Sequence, residues 1–394
     1  MQFFGYGPLD ATVGGYGHPW HAAFRPQIIP EQNYEEAEAL DALRRRDRCV
    51  RYTCNVLTPD LVRIGSIPAR NMRIDCNSDA NIPMSMSAEV NLEDARMIDF
   101  GRARLQPVME LQMPDGGWYA WPLGVFVPTT PRMQLGAPVQ TVDISGYDMT
   151  VVASEDRLAE VLTIPAGTQY IEALVTLLMQ GGIQHITAER TDAALTHELQ
   201  YDIGTDRLSI ANELLRAIGY QPLYADANGF LRITRKLMPY ERTVQHRYMD
   251  DELSVIAPEL VIDEDMFAAP NMIVAVVSRL EDPPLVARWQ NEDPQNPLSI
   301  HRRGRRVVRF DQLDDIQDQD VLDRYVIAEG YRTMAQYGRV NFETLAMPGH
   351  LVRDMVYLQR EDADIAGRYM ETGWSMELNV GASMRHTAQR VVTV

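Results

Sequence analysis

Between Cys49 and Ala153 the apolar residues recur at every second position, and that period restricts the segment to half-buried antiparallel strands. Met72, Ile74 and Cys76 alternate with Asn71, Arg73 and Asp75. Met84, Met86, Ala88 and Val90 alternate with Ser85, Ser87 and Glu89, and Val142 and Ile144 alternate with Asp143 and Ser145. Inside this region Met109, Leu111 and Met113 face one way, Glu110 and Gln112 the other. Pro114-Asp115-Gly116-Gly117 then offers a fixed φ, a turn-forming carboxylate and two permissive backbones. Trp118, Trp121 and Phe126 lie on the return strand. The pattern predicts a hairpin within an antiparallel β domain over 48–153, with Trp118 and Trp121 presented to a neighbouring subunit.

The flanking segments follow other rules. Residues 1–47 begin with a Gly- and aromatic-rich arm, whose Phe3, Phe4, Tyr6, Tyr16 and Trp20 are expected to pack on another subunit. A helix follows over Glu31–Arg48, with Tyr34, Ala37, Leu40 and Leu43 at three-residue steps. Residues 154–240 read as an α+β module. Thr168 caps a helix to Gln180, Asp206 or Ser209 opens a second that closes at Gly219, and Asn228-Gly229 turns a hairpin. Residues 241–394 read as a second β domain. Ile273–Val277 is a continuous apolar run suited to a strand buried on both faces. Residues 281–310 look like an inserted loop, and 318–337 like a helix with Val321, Leu322, Tyr325 and Val326 inward. Trp374, Met376, Leu378 and Val380 form the apolar face of a last strand.

With 394 residues and 45% hydrophobic composition the chain has material for two to four packed domains. Its net charge of −18 repels nucleic acid, although such a surface suits a conduit that DNA must pass without sticking. Lys236 is the one lysine among 37 basic residues, a bias that fits either interface forks or a GC-rich genome. No run of some 18 apolar residues offers a membrane anchor. Cys49, Cys54 and Cys76 are odd in number, and Cys76 reads as a small buried hydrophobe.

Sequence motifs for chemistry are missing. The eight histidines are dispersed; His18 and His21 are three apart with no third ligand nearby, and there is no HExxH, P-loop or GxGxxG. Ser145-Gly146-Tyr147 lacks the spacing of a nucleophile elbow. Asp263–Asp265 and Asp362–Asp364 lack the Gly-punctuated donor loop of a calcium site. No residue is therefore assigned to catalysis, a cofactor or a metal, and the chain is expected not to be an enzyme. One charged run stands out: His301–Arg309 contains Arg302, Arg303, Arg305 and Arg306 without interleaved aromatics, and is expected to meet an acidic neighbouring subunit.

The succession Pro107-Val108-Met109, Pro114–Trp118, Trp121–Phe126 and Gly146-Tyr147-Asp148 resembles the tail hub proteins of long-tailed bacteriophages. The likeness continues through Pro165–Tyr170, Leu208–Gly219 and Arg303-Gly304-Arg305, over about residues 45–360. The resemblance implies a mainly β fold with α+β insertions, comprising two antiparallel β-barrel-like domains plus smaller α+β domains. It further implies a homotrimer in the virion at the tail tip, made in the host cytoplasm. Three chains with two similar barrels each would match the sixfold tail tube or distal tail protein above and a threefold fibre or spike below, beside the tape measure protein and the passing DNA. Alternatives are a hexameric distal tail ring protein, a cell-wall-degrading tail enzyme and a receptor-binding module.

Overall fold

The computed structural model describes residues 34–391, except 46, 130, 135–139, 238–240, 264–268, 279–282, 295, 297, 314–315 and 317. The chain divides into two compact units. One comprises residues up to Lys236 with Leu345–Val352 and Ser375–Met384; the other comprises Leu237–Thr344, Arg353–Trp374 and Arg385 onward.

The first unit opens with α1 (Glu36–Arg44), which has acids in its first turn and Arg44 in its last, as the helix dipole favours. Its buried side is Ala39, Ala42 and Leu43, while Ala37 faces solvent, one step away from the expected stripe. Nine strands follow: β1 (Val50–Leu57), β2 (Arg63–Ile67), β3 (Ala69–Asn77), β4 (Met84–Asn91), β5 (Arg104–Gln112), β6 (Trp118–Pro122), β7 (Phe126–Pro128), β8 (Arg132–Gln134) and β9 (Thr141–Asp148), with the short α2 (Leu92–Ala95) after β4. Their hydrogen-bonded order is β3-β4-β9-β7-β5-β1-β2, with β6 on β5 and β8 on β9. The period-two residues are the core: Met72, Ile74, Met84, Met86, Val90, Val142 and Ile144 are all at most 3% exposed.

The expected barrel does not close. Among the described residues β2 pairs only with β1, and nearly every residue of it is exposed, Ile64 to 66%. The other edge of β3 is already paired with a strand from late in the chain, so β2 has no free edge of β3 to close onto. The chain is nonetheless mainly β, as the sequence implies.

After β9 come α3 (Thr150–Glu155), β10 (Leu162–Ile164), α4 (Tyr170–Gln180), β11 (Ile186–Ala188), β12 (Leu199–Tyr201), α5 (Arg207–Ala217), β13 (Tyr224–Ala225) and β14 (Leu231–Ile233). Asp206 caps α5 by accepting from Ser209 N at 2.8 Å, whereas Gln169, not Thr168, stands at the cap position of α4 and makes no side-chain cap bond. Ile171, Leu174, Leu178, Ile210, Leu214 and Leu215 pack with Ile186, Leu231 and Ile233 into one core, which also takes in Leu57, Leu61 and Val125 from the β region. Each such side chain contributes about 1.5–3 kcal/mol on burial.

The second unit contains β15 (His246–Tyr248), β16 (Ile256–Asp263), β17 (Met272–Val277), β18 (Leu285–Gln290), α6 (Ile300–Arg303), β19 (Val308–Leu313), α7 (Gln319–Tyr337), β20 (Arg339–Leu345) and β21 (Met355–Arg360), with most of β22 (Ile365–Leu378) and β23 (Ser383–Arg390). One sheet runs β16-β20-β23-β22-β21-β15; the other is β18-β17-β19 with α7 packed on it. Residues 281–310 are therefore not a simple loop, since they contain β18 and α6. Pro283-Pro284 and Arg288 obscured the alternation of Leu285, Ala287 and Trp289. Val380 is 81% exposed because β22 ends at Leu378 and the chain turns through Gly381 at φ +83°.

Candidate assembly surface

The hairpin forms as its residues dictate, with its turn exposed, but Trp121 is not presented at the surface. Met109 pairs with Trp121 and Gln112 with Trp118. The turn is closed by Gly116 N donating to Met113 O and Met113 N donating to Gly117 O, and Gly116 adopts φ +89°. Tyr34 Oη donates to Asp115 at 2.6 Å, and together with the Gly117 amide holds that carboxyl below its usual range. Trp121 is only 3% exposed, so its ring belongs to the chain's own core. Trp118 is half-buried under the Arg51 guanidinium, 3.9 Å from the ring centroid, and Arg51 also grips Glu110 at 2.8 Å. Phe3, Phe4, Tyr6, Tyr16 and Trp20 lie outside the described residues.

The arginine run is a built turn. Asn271, fully buried, donates to Leu298 O at 3.2 Å and Arg305 O at 3.0 Å, and accepts from Val307 N at 2.8 Å. Buried Ser299 caps α6 through the Arg302 amide, and Gly304 ends it in the left-handed region at φ +62°. Arg303 turns inward onto Ala269 O at 2.6 Å. Arg309, at the end of the run, is held over α7 by Asp311 at 2.9 Å and Glu329 at 2.8 Å. Arg302, Arg305 and Arg306 point out, exposed, and no hydrogen bond or ion pair with a described residue engages their guanidinium groups.

Sequence reasoning missed what lies beside them. On β17–β19 the residues Ile273, Ala275, Val277 and Ala287 are buried beneath Leu322 and Val326 of α7. The alternate residues form the opposite face. Val274 stands between Arg288 and Phe310, Val276 between Val286 and Gln312, and Met272 between Gln290 and Val308. Val286, Val308 and Phe310 are 41%, 53% and 62% exposed. The run Ile273–Val277 is thus buried on one face only. The alternation of Val308 and Phe310 with Arg309 and Asp311 was the available signal.

A polar group lies in the core of the same unit. His386 Nδ1 is 2.6 Å from Glu371 Oε1, its Nε2 is 2.8 Å from Thr344 Oγ1, and both side chains of the pair are fully buried. The imidazole stacks on Phe342 at 4.5 Å between centroids, with Tyr248 tilted at 5.4 Å. Both ring nitrogens are engaged, so the group reads as a satisfied structural pair. Of the other residues weighed for chemistry, Cys54 is buried, which pushes its thiol up to about 12, and Asp362 is tied to Arg360 at 2.9 Å. Among the described residues no helix is long and apolar enough to cross a membrane.

No protein-family model and no curated protein matches the sequence. Solved structures do match. The tail protein from Neisseria meningitidis MC58 aligns at a TM-score of 0.62 and 11% identity, over 86% of this chain and 97% of its own. The 43 kDa tail protein of prophage MuSo2 from Shewanella oneidensis aligns at 0.63 and 9%, over 87% and 98%. Prophage tail protein gp18 from Listeria monocytogenes EGD-e aligns at 0.54 and 10%, over 86% and 94%. The chain has the fold of phage tail proteins, and the resemblance read from its sequence is borne out at that level.

Proposed function

We propose that this chain is a structural subunit of a phage-type tail, acting as the hub at its tip. The observation that carries the reading is the extent of the shared fold: nearly the whole of two tail proteins superposes on some 86–87% of this one. Three copies form a ring that meets the sixfold tail tube or distal tail ring on one side and a threefold fibre or spike on the other, with the tape measure protein and then DNA passing through. Since the sheets do not close into barrels, the symmetry match rests on two strand-rich regions per chain, one in each compact unit. The net charge of −18 suits a bore that DNA traverses without adhering.

Mass photometry of the full chain tests this. Three copies of the 44.7 kDa chain are expected. Six copies would indicate the distal ring instead, and a monomer at every concentration would overturn the hub. Locating the chain at the tail tip in particle images would supply the second, independent check.

A further inference from the structure

We infer that the open face of β17–β19, together with Arg302, Arg305 and Arg306, is a docking surface for an acidic region of a second copy of this chain. The inference deepens the trimeric reading and rests on it.

Three observations converge. The face is mostly apolar where solvent should have selected polar residues: Met272, Val274, Val276, Val286, Val308 and Phe310 share it with Arg288, Gln290 and Gln312, and Phe310 is 62% exposed. Its opposite side is already covered by α7, so this sheet would gain a second layer only from outside. In the segment that leads into β19, which Asn271 and Ser299 hold in shape, are three exposed arginines whose guanidinium groups have no partner among the described residues. An apolar centre with an arginine rim has the anatomy of a protein interface.

Charge selects the occupant. The chain carries 55 acidic residues against 37 basic ones, so another copy is a strongly acidic partner. A basic patch on an acidic chain cannot pair with itself across a twofold axis without bringing like charges together. It suits a head-to-tail contact, which closes into a ring when the rotation allows. DNA would be drawn to the same arginines, but the exposed Val286, Val308 and Phe310 give it little to bind.

The test uses the full chain and the variants Phe310→Asp and Arg305→Glu/Arg306→Glu, with Ile64→Asp on β2 as an equally exposed control in the other unit. Sedimentation velocity across concentration and salt reads the assembly, and circular dichroism with thermal melts confirms folding. Both patch variants should raise the dissociation constant by about tenfold or more. Added salt should weaken the wild type but have less effect on the charge-reversed variant. The control should assemble as the wild type does. Normal assembly of both patch variants would overturn the docking surface while leaving the trimer standing, and equal loss in the control would also overturn it. A monomeric wild type would remove the hub reading and the surface together. Binding to duplex DNA that the arginine reversal abolishes, with assembly unchanged, would assign the patch to nucleic acid and refute the inference.

Discussion

The hairpin β5–β6 and the sheet β17–β19 look alike in sequence, each an apolar strand beside a short polar turn, yet they end differently. In β5 every residue from Leu105 to Met109 is buried, on both faces, within its own unit. In β19 no residue is fully buried, and Val308 and Phe310 are exposed while Leu313 is half-buried against the core beneath α7. The alternation in a strand states which side wants cover. It does not state what supplies the cover, and in the second case the described residues of α7 supply it on one side. That difference separates residues buried within the fold from residues that the described fold leaves exposed.

The sharpest way to break the comparison is to truncate equivalent apolar positions. Met109→Ala, at 1% exposure, should cost about 2–5 kcal/mol in urea denaturation, because it removes transfer energy and leaves a cavity. Val308→Ala, at 53% exposure, should stay within about 0.5 kcal/mol in the monomeric state. Similar losses at both sites would mean that the β19 face is covered within the chain.

Smaller effects come from glycines. A Cβ on Gly330 of α7 would enter the Trp289 ring, so the helix can lie this close to β18 only with glycine there. Gly330→Ala should destabilise by about 1–3 kcal/mol, offset by roughly 1 kcal/mol of helix propensity. Hydrogen exchange should locate the loss in α7 and β17–β19. In the hairpin, Gly116→Val forces a β-branched residue to φ +89°, where nothing crowds its side chain. Strain alone should cost about 1–2 kcal/mol. Gly117→Val adds a clash with Tyr34 and would break its bond to Asp115. If the Gly116 variant melts as the wild type does, the turn is not what sets the register of β5 and β6.

Much of this was legible because it is local. Met84, Met86, Ala88 and Val90 are buried on schedule. So are Ile171, Leu174, Val175 and Leu178 of α4, Ile210, Leu214 and Leu215 of α5, and Leu322 and Val326 of α7, while Ile218, Val321 and Tyr325 are half-buried. The Asp206 cap follows from one side chain reaching three residues on. What escaped depends on partners distant in the chain. Closure of the first sheet fails because β22, from late in the chain, takes the edge of β3, which no period within Arg63–Ile67 reveals. Spacing alone does not reveal that Trp121 is buried, because an aromatic on a return strand has the same spacing whether core or solvent lies beneath it. The arginine turn read as loop because its order comes from Asn271, some thirty positions upstream of the residues it holds. The apolar face beside it was hidden by the same separation, since Val274 meets Phe310 only once the parallel pair β17–β19 has formed.

The mildest probe perturbs nothing. Cys49 is exposed, whereas Cys54 and Cys76 are buried in β1 and β3, and burial raises the Cys54 thiol to about 12. At pH 8 a disulfide reagent should label one thiol rapidly, because Cys49 alone of the three is exposed to it. The other two should react at the rate at which the first unit opens, and that rate should rise in Met109→Ala but not in Val308→Ala or Phe310→Asp. Since the second unit carries no cysteine, labelling reports on the hairpin side of the comparison alone. Faster labelling of the two buried thiols in Phe310→Asp would show that the β17–β19 face stabilises the first unit and is not held in reserve for another copy.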